Sequence, residues 1–206
     1  MKDFDYFYSN KDSYFGLNPS DGLVDMLNKY DVKIGNALDI GAGEGRNSIY
    51  LATKGFNVTA VEPTKIGSNK ISDIANKMKL KNVNVINDDF MSANINQKFD
   101  FIIAGTSLDH MELEYLHKSI DKIKSLMNND CVIYVVVFTE KDPGYLKQND
   151  IKSECSTFIK HYFKENELKE YFKDCDILFY NEYMKPDNSH GKPHVHGKAK
   201  LIARKK

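Results

Sequence analysis

The chain has 206 residues, in which 29 Lys and Arg balance 29 Asp and Glu, so its formal net charge is zero. Residues 1–206 suit one ordinary domain with a sizeable core, and the charge balance, without a long Lys/Arg block, leaves no field to draw the chain to nucleic acid or anionic lipid. The longest apolar run, Cys131 to Phe138, is too short to span a bilayer, and the opening Met1-Lys-Asp-Phe-Asp-Tyr is acidic and aromatic rather than signal-like. A cytoplasmic protein is therefore expected, monomer or homodimer, with neither a membrane nor a nucleic-acid partner. Cys131, Cys155 and Cys175 are odd in number and widely spaced, without a C-x-x-C pair; this points to reduced thiols rather than a disulfide frame or a zinc site.

In chain order, an aromatic leader (Phe4, Tyr6, Phe7, Tyr8, Tyr14, Phe15) comes first, within residues 1–30. Asn18-Pro-Ser-Asp-Gly then reads as a capped helix start, with Leu23, Leu27 and Tyr30 at helical spacing. From there the pattern predicts strands at about 36–40, 57–62, 83–88, 99–104 and 131–138, with helices near 45–54, 68–79 and 112–127 between most of them. Such alternation implies a parallel sheet covered on both faces, with ligands at the carboxyl ends of its strands near a switch in strand order. Val132-Ile-Tyr-Val-Val-Val-Phe is apolar without alternation and is expected to be central. Beyond it lie a polar stretch with Pro143-Gly144 and a short helix at 164–173. Two last strands, near 177–183 and 195–204, suit an antiparallel pair at the sheet's edge. The expected fold is α/β: a single Rossmann-like domain with a mostly parallel seven-stranded sheet, helices on both faces and a C-terminal antiparallel hairpin.

The chemistry concentrates in Asn36-Ala-Leu-Asp-Ile-Gly-Ala-Gly-Glu-Gly-Arg-Asn, a short strand that breaks into three alternating glycines and then a helix. Gly41, Gly43 and Gly45 let the backbone turn tightly and approach a ligand, and the following helix points free N–H groups at the same spot. Glu62 ends the next strand, where a carboxylate can accept hydrogen bonds from both hydroxyls of a ribose. The spacing is G-x-G-x-G rather than the dinucleotide pattern G-x-G-x-x-G, which disfavours a nicotinamide oxidoreductase. Carboxylates at Asp39 and Glu44 would repel a pyrophosphate but suit an ammonium and a sulfonium. S-adenosylmethionine is such a ligand.

These residues resemble the first motif of the class I methyltransferases, Asp-x-Gly-x-Gly-x-Gly, and the resemblance spans residues 36–137. It implies an acidic residue near the adenine amino group after the third strand, a slot that Asp89 and Phe90 fit, although Asp89 also suits a plain turn and Phe90 the core. Asp100-Phe-Ile-Ile-Ala-Gly-Thr-Ser-Leu-Asp-His matches the family's fourth-strand motif, which implies that Thr106, Ser107 and Leu108 line the junction between cofactor and acceptor. Arg46 either bonds the cofactor carboxylate or pairs with a local acid. Asp109-His110 reads as a helix N-cap or as a general-base pair. The last fifty residues narrow the likeness: Phe163-Lys-Glu-Asn-Glu-Leu, Tyr180-Asn-Glu, a His-bearing loop and Ala203-Arg-Lys resemble the tellurite-resistance methyltransferases.

His194 and His196 fall on one face of a strand. A His-x-His pair can ligate zinc or iron, yet the sequence fixes no acidic or cysteine partner, so no metal is assigned; surface histidines, or a loop facing the acceptor, are the competing readings. Together the observations predict in-line transfer of a methyl group from S-adenosylmethionine to a small acceptor, with a tellurium or selenium oxyanion, or its reduced form, as the candidate. His110, His194 and His196 are the expected bases where the acceptor must lose a proton, and the leader is expected to close over the cofactor as a lid. The alternative is a catalytically silent S-adenosylmethionine-binding module that acts as a sensor or partner subunit.

Overall fold

The computed structural model describes residues 4–9, 13–20, 22–188 and 190–206. Its centre is a seven-stranded sheet of β1 (Asn36–Ile40), β2 (Asn57–Val61), β3 (Val83–Ile86), β4 (Phe99–Gly105), β5 (Met127–Phe138), β6 (Asp176–Asp187) and β7 (His194–Arg204). They lie in the order β3-β2-β1-β4-β5-β7-β6. The first five are parallel, and β7 runs antiparallel between β5 and β6. Strand order reverses at the β1–β4 boundary, which opens a crevice at their carboxyl ends.

Alternation within strands builds a core on each face. Ile133, Val135 and Val137 of β5 join Ile102 and Ala104 of β4 against Leu116, Ile120 and Ile123 of the helix Leu113–Leu126. On the opposite face Val132, Tyr134 and Val136 join Phe101 and Ile103 against Leu23 and Met26 of Leu23–Lys29 and Leu51 of Arg46–Thr53. The helix Lys65–Lys77 covers that same face further along, through Ile71 on Ala60. In chain order these helices, with Phe4–Ser9 first and Glu167–Tyr171 last, are α1 to α6.

The structure adjusts several boundaries. β5 is interior, but the middle position belongs to β4. β5 begins at Met127 rather than 131, because buried Met127 pairs with Phe99 and the register then slips across Asn-Asn-Asp, with Asp130 left-handed at φ 62°. Helix α4 starts at Lys65, since the Thr64 hydroxyl accepts from the Gly67 N–H and caps it. Helix α2 starts at Leu23 after a left-handed Gly22, with no side-chain cap; Asp21 of the expected capping segment lies outside the described residues. β6 continues through Pro186, which an edge strand tolerates. All three cysteines are free thiols, and Cys131 packs in the core. Among the described residues no helix is long and apolar enough to cross a membrane.

Candidate active site

A cavity of about 290 Å³ opens at the β1–β4 crevice. Its floor is the glycine loop, one wall is Glu62 to Thr64 with Asp89 and Phe90, another is Gly105 to Ser107, and the roof brings Phe4, Tyr8 and Phe15 over it. Of the predicted residues, Gly41, Gly43, Arg46, Glu62, Asp89, Phe90, Thr106, His110 and His196 all line this one space. Asp39, Gly45, Leu108 and His194 are not among its lining residues, Leu108 being fully buried in the core instead.

Asp39 and Gly45 serve packing around the loop. Asp39 is buried and accepts a 2.6 Å hydrogen bond from the Ser48 hydroxyl, so it ties β1 to the first turn of α3. Burial raises its carboxyl to about 6, against the pull of that bond. Gly45 is the left-handed cap of α3 (φ 90°), and a Cβ there would come within 2.7 Å of Ile71 Cγ1, so the missing side chain lets α3 and α4 pack closely. Glu44, read as a partner for a cationic ligand, lines the cavity and also fastens the leader. Its Oε2 accepts from the backbone N–H groups of Tyr14 (2.7 Å) and Phe15 (3.2 Å), and its Oε1 meets Lys70 Nζ at 2.7 Å.

Glu62 follows β2 directly. Its Oε2 accepts from the Gly43 N–H at 2.7 Å and its Oε1 from the N–H and hydroxyl of Thr64, which locks the glycine loop to the start of α4. Burial raises its carboxyl above the ordinary value, opposed by these bonds. Asp89 is exposed, and its Oδ1 accepts from the Met91 N–H, while Phe90 is both core and cavity wall. Thr106 adopts φ 56°, costly for a β-branched residue at about 1–3 kcal/mol; its N–H donates to Val136 O at 2.7 Å, which holds the turn in place. The neighbouring Ser107 Oγ is buried without a hydrogen-bond partner among the described residues.

The N-cap reading of Asp109 does not hold: Leu108–His110 forms a 3-10 turn, and α5 starts later with Glu112 as its cap. Neither carboxylate oxygen of Asp109 has a hydrogen-bond partner among the described residues, and His110 Nε2 lies 3.9 Å away. Burial pushes Asp109 up to about 6 despite the His110 charge. His110 Nδ1 sits 3.0 Å from Phe158 O, a carbonyl that can only accept, so Nδ1 carries the proton.

The surface reading of His194 and His196 is overturned as well: both are buried, as is His190. The fold also supplies the acidic neighbours that the sequence left open. Asp142 Oδ2 lies 3.4 Å from His196 Nδ1, and Asp187 Oδ2 lies 3.7 Å from His190 Nε2. Burial lowers His190 to about 4 and lowers His196, while Lys198, next on the same strand face, is pushed by burial down to about 8. Sequence reading missed Asp142, Asp187 and Lys198 as cavity residues. Lys198 was within reach, because it continues the His194, His196 alternation; the two aspartates were not, because only tertiary pairing brings them in.

The chain matches the family described as "Tellurite resistance protein TehB" over residues 2–193. It is 29% identical over 183 residues to the probable S-adenosyl-L-methionine-dependent methyltransferase TehB of Haemophilus influenzae, an alignment covering 86% of this chain and 60% of that protein. The chain thus spans about 60% of the length of this curated relative. The crystal structure of TehB from Haemophilus influenzae superposes with a TM-score of 0.76 at 27% identity, covering 98% of this chain and 66% of that one. Magnesium protoporphyrin IX methyltransferase from Synechocystis, solved with bound S-adenosylhomocysteine, shares the fold at a TM-score of 0.67 and 16% identity, covering 89% and 79%. With the strand order, the glycine loop and these likenesses in agreement, the chain belongs to the TehB family and carries the class I methyltransferase fold.

Proposed function

We propose that this chain binds S-adenosylmethionine in the β1–β4 cavity and transfers its methyl group to a small anionic acceptor, a reduced tellurium or selenium species being the candidate. The observation that carries this reading is the convergence of the glycine loop, Glu62, Arg46 and the unpartnered Ser107 hydroxyl on one cavity at the switch in strand order. The residues present fit the cofactor: acidic Glu62 and Asp89 for hydroxyl and amino donors, the Arg46 guanidinium for a carboxylate, and Ile40, Val61 and Phe90 for an apolar ring. The volume lies close to the lower end of ordinary ligand pockets, about 300–1,000 Å³.

When bound, S-adenosylmethionine supplies a methyl group already activated by its sulfonium. The protein's part is then to hold, orient and dry the site. Glu62 and the glycine loop fix one end, while Thr106 and Ser107 shape the junction with the acceptor space. His110, His190, His196 and Lys198 line that space together with Asp142 and Asp187, and Lys198 supplies an ammonium group for an anion. The leader, residues 1–30 in part, serves as the lid, its Phe4, Tyr8 and Phe15 rings excluding water. A reduced chalcogen anion has no proton to lose and needs no base; for a protonated acceptor, His110 is the candidate proton carrier, its ring held by the Phe158 carbonyl at Nδ1.

The tellurite-resistance name of the family supports the acceptor class. Calorimetry with S-adenosylmethionine, followed by a turnover screen with selenite and tellurite under reducing conditions, tests both halves. Methylated volatile product is expected; tight binding without turnover on any small acceptor would reject the transfer reading in favour of a silent binding module.

A further inference from the structure

We propose that Asp187, His190, His194 and His196 form a site for a divalent transition-metal ion, zinc in the first place, at the tip of the β6–β7 hairpin. One ligand atom from each of the four lies within 4.8 Å of all the others, and the three histidines are buried. Ligands on a single zinc ion, at about 2.0–2.2 Å each, stand roughly 3.3–3.5 Å apart in a tetrahedron. The cluster therefore needs adjustments on the order of 1 Å at its widest pairs, within reach of side-chain torsions.

The hydrogen-bond network assigns the tautomers. His194 Nδ1 lies 2.6 Å from Lys192 O, which can only accept, so that nitrogen carries the proton. His196 Nδ1 faces Asp142 Oδ2 at 3.4 Å, a carboxylate oxygen that also accepts from the Gly197 N–H at 3.0 Å. Both rings then turn lone pairs toward each other, Nε2 to Nε2, at 2.9 Å. Two lone pairs at that distance repel unless a cation stands between them. A single shared proton would serve that pair alone. Yet Asp187 Oδ2 comes within 4.0 Å of His196 Nε2 and 3.7 Å of His190 Nε2, so a carboxylate and a third imidazole converge on the same point. One divalent ion satisfies all four.

The surroundings match what metal-binding histidines need. An acceptor behind Nδ1 of His194 and of His196, a carbonyl and a carboxylate, fixes the orientation of those two rings and leaves their Nε2 atoms to the ion. Three imidazoles and one carboxylate suit zinc and its transition-metal neighbours rather than calcium or magnesium, which take oxygen ligands. Four protein ligands close the coordination sphere, as in structural zinc sites. All four come from one hairpin, with Asp187 paired directly opposite His194. His190 also packs on Tyr14 and Phe15, with ring centroids 5.3 and 4.9 Å away, so an ion here would tie the hairpin tip to the leader.

The test uses the full chain without an affinity tag, stripped with a chelator and dialysed. Zinc chloride is titrated by calorimetry, metal retained through gel filtration is counted by mass spectrometry, and melting is followed with and without zinc. One ion per chain and a zinc-dependent rise in melting temperature are expected. Asp142→Asn should weaken zinc binding by about 10–100-fold, and Asp187→Asn or His196→Ala should abolish stoichiometric retention. A folded parent chain that takes up no zinc, or a folded His194→Ala, His196→Ala chain that binds it as tightly as the parent, overturns the assignment. So does an imidazole NMR titration that shows a shared proton at the pair while added zinc leaves the spectrum unchanged. Should the substituted chains unfold, the zinc-dependent melting of the parent decides. None of these measurements uses methyl transfer, so this site and the proposed activity succeed or fail separately.

Discussion

Replacing Glu44 with alanine should release the leader from the cavity while the sheet stays folded. The Glu44 carboxylate, 3% exposed, receives the Tyr14 and Phe15 N–H groups on one oxygen and Lys70 on the other, and Lys70 in turn donates to Tyr8 O at 2.7 Å. Alanine deletes three charge-assisted contacts at once. Hydrogen bonds to charged groups contribute about 1.5–3 kcal/mol each, but the freed N–H groups regain water as the leader loosens. A net loss of about 3–4 kcal/mol in leader docking follows, which corresponds to a 10²–10³-fold fall in protection of the Tyr14 and Phe15 amides at about 1.4 kcal/mol per decade. Hydrogen exchange read residue by residue measures this directly. Cofactor affinity by calorimetry should fall with it, because Tyr8 and Phe15 line the cavity. Glu44→Gln, which keeps an acceptor without the charge, should fall between. Unchanged protection in a folded Glu44→Ala chain would show that aromatic packing alone holds the leader, and the reasoning from the carboxylate would be refuted.

Glu62→Ala should weaken S-adenosylmethionine binding by about 2 kcal/mol or more, through lost ribose bonds and a loosened Gly43; affinity within error of the parent by calorimetry contradicts this. Gly43→Val should abolish binding in a folded chain, since φ is 59° and a Cβ already meets Tyr8 Oη at 3.1 Å; circular dichroism and calorimetry together decide. Asp109 binds its proton more tightly folded than unfolded, with the value raised from 3.8 to about 6, so folding stability falls as pH rises through that window and the cost is complete above it. Asp109→Asn should therefore gain about 1–3 kcal/mol at pH 7 and much less at pH 4 in urea unfolding; an equal change at both values argues against the buried carboxylate as the cause.

What sequence reading captured was whatever short-range pattern encodes. Three glycines after a five-residue strand, an acidic residue about twenty positions on, and helical spacing between apolar runs were enough for the architecture and for the cavity's floor. At Asp39 and Glu44 charge was visible while direction was not: Ser48 and the leader backbone bond those carboxylates only once α3 and the leader are placed. Gly45 looked like its two neighbours in sequence, yet it faces Ile71 of a helix twenty-six residues later. The histidines were legible as a pair but not as a buried cluster, since Asp142 reaches His196 across 54 positions of chain.

β7 also changes partners along its length. From Lys198 to Arg204 it pairs with β5 on one side and β6 on the other, but His194 to Gly197 lies beyond the reach of β5. There the inner edge is held by irregular chain instead: the Val195 N–H donates to Ile151 O, the Gly197 N–H to Asp142, and Gly197 O accepts from Thr139. A Cβ at Gly197 would strike the Asp142 backbone at 2.5 Å, so strand and loop are fitted to one another with no slack. The tip of the hairpin and the 139–151 segment consequently form one cooperative patch whose opening does not require the sheet to melt. Amides of Val195 and Gly197 should exchange at a shared rate, faster than those from Ala199 onward, and that step would mark where the rigid scaffold ends and the adaptable wall of the cavity begins.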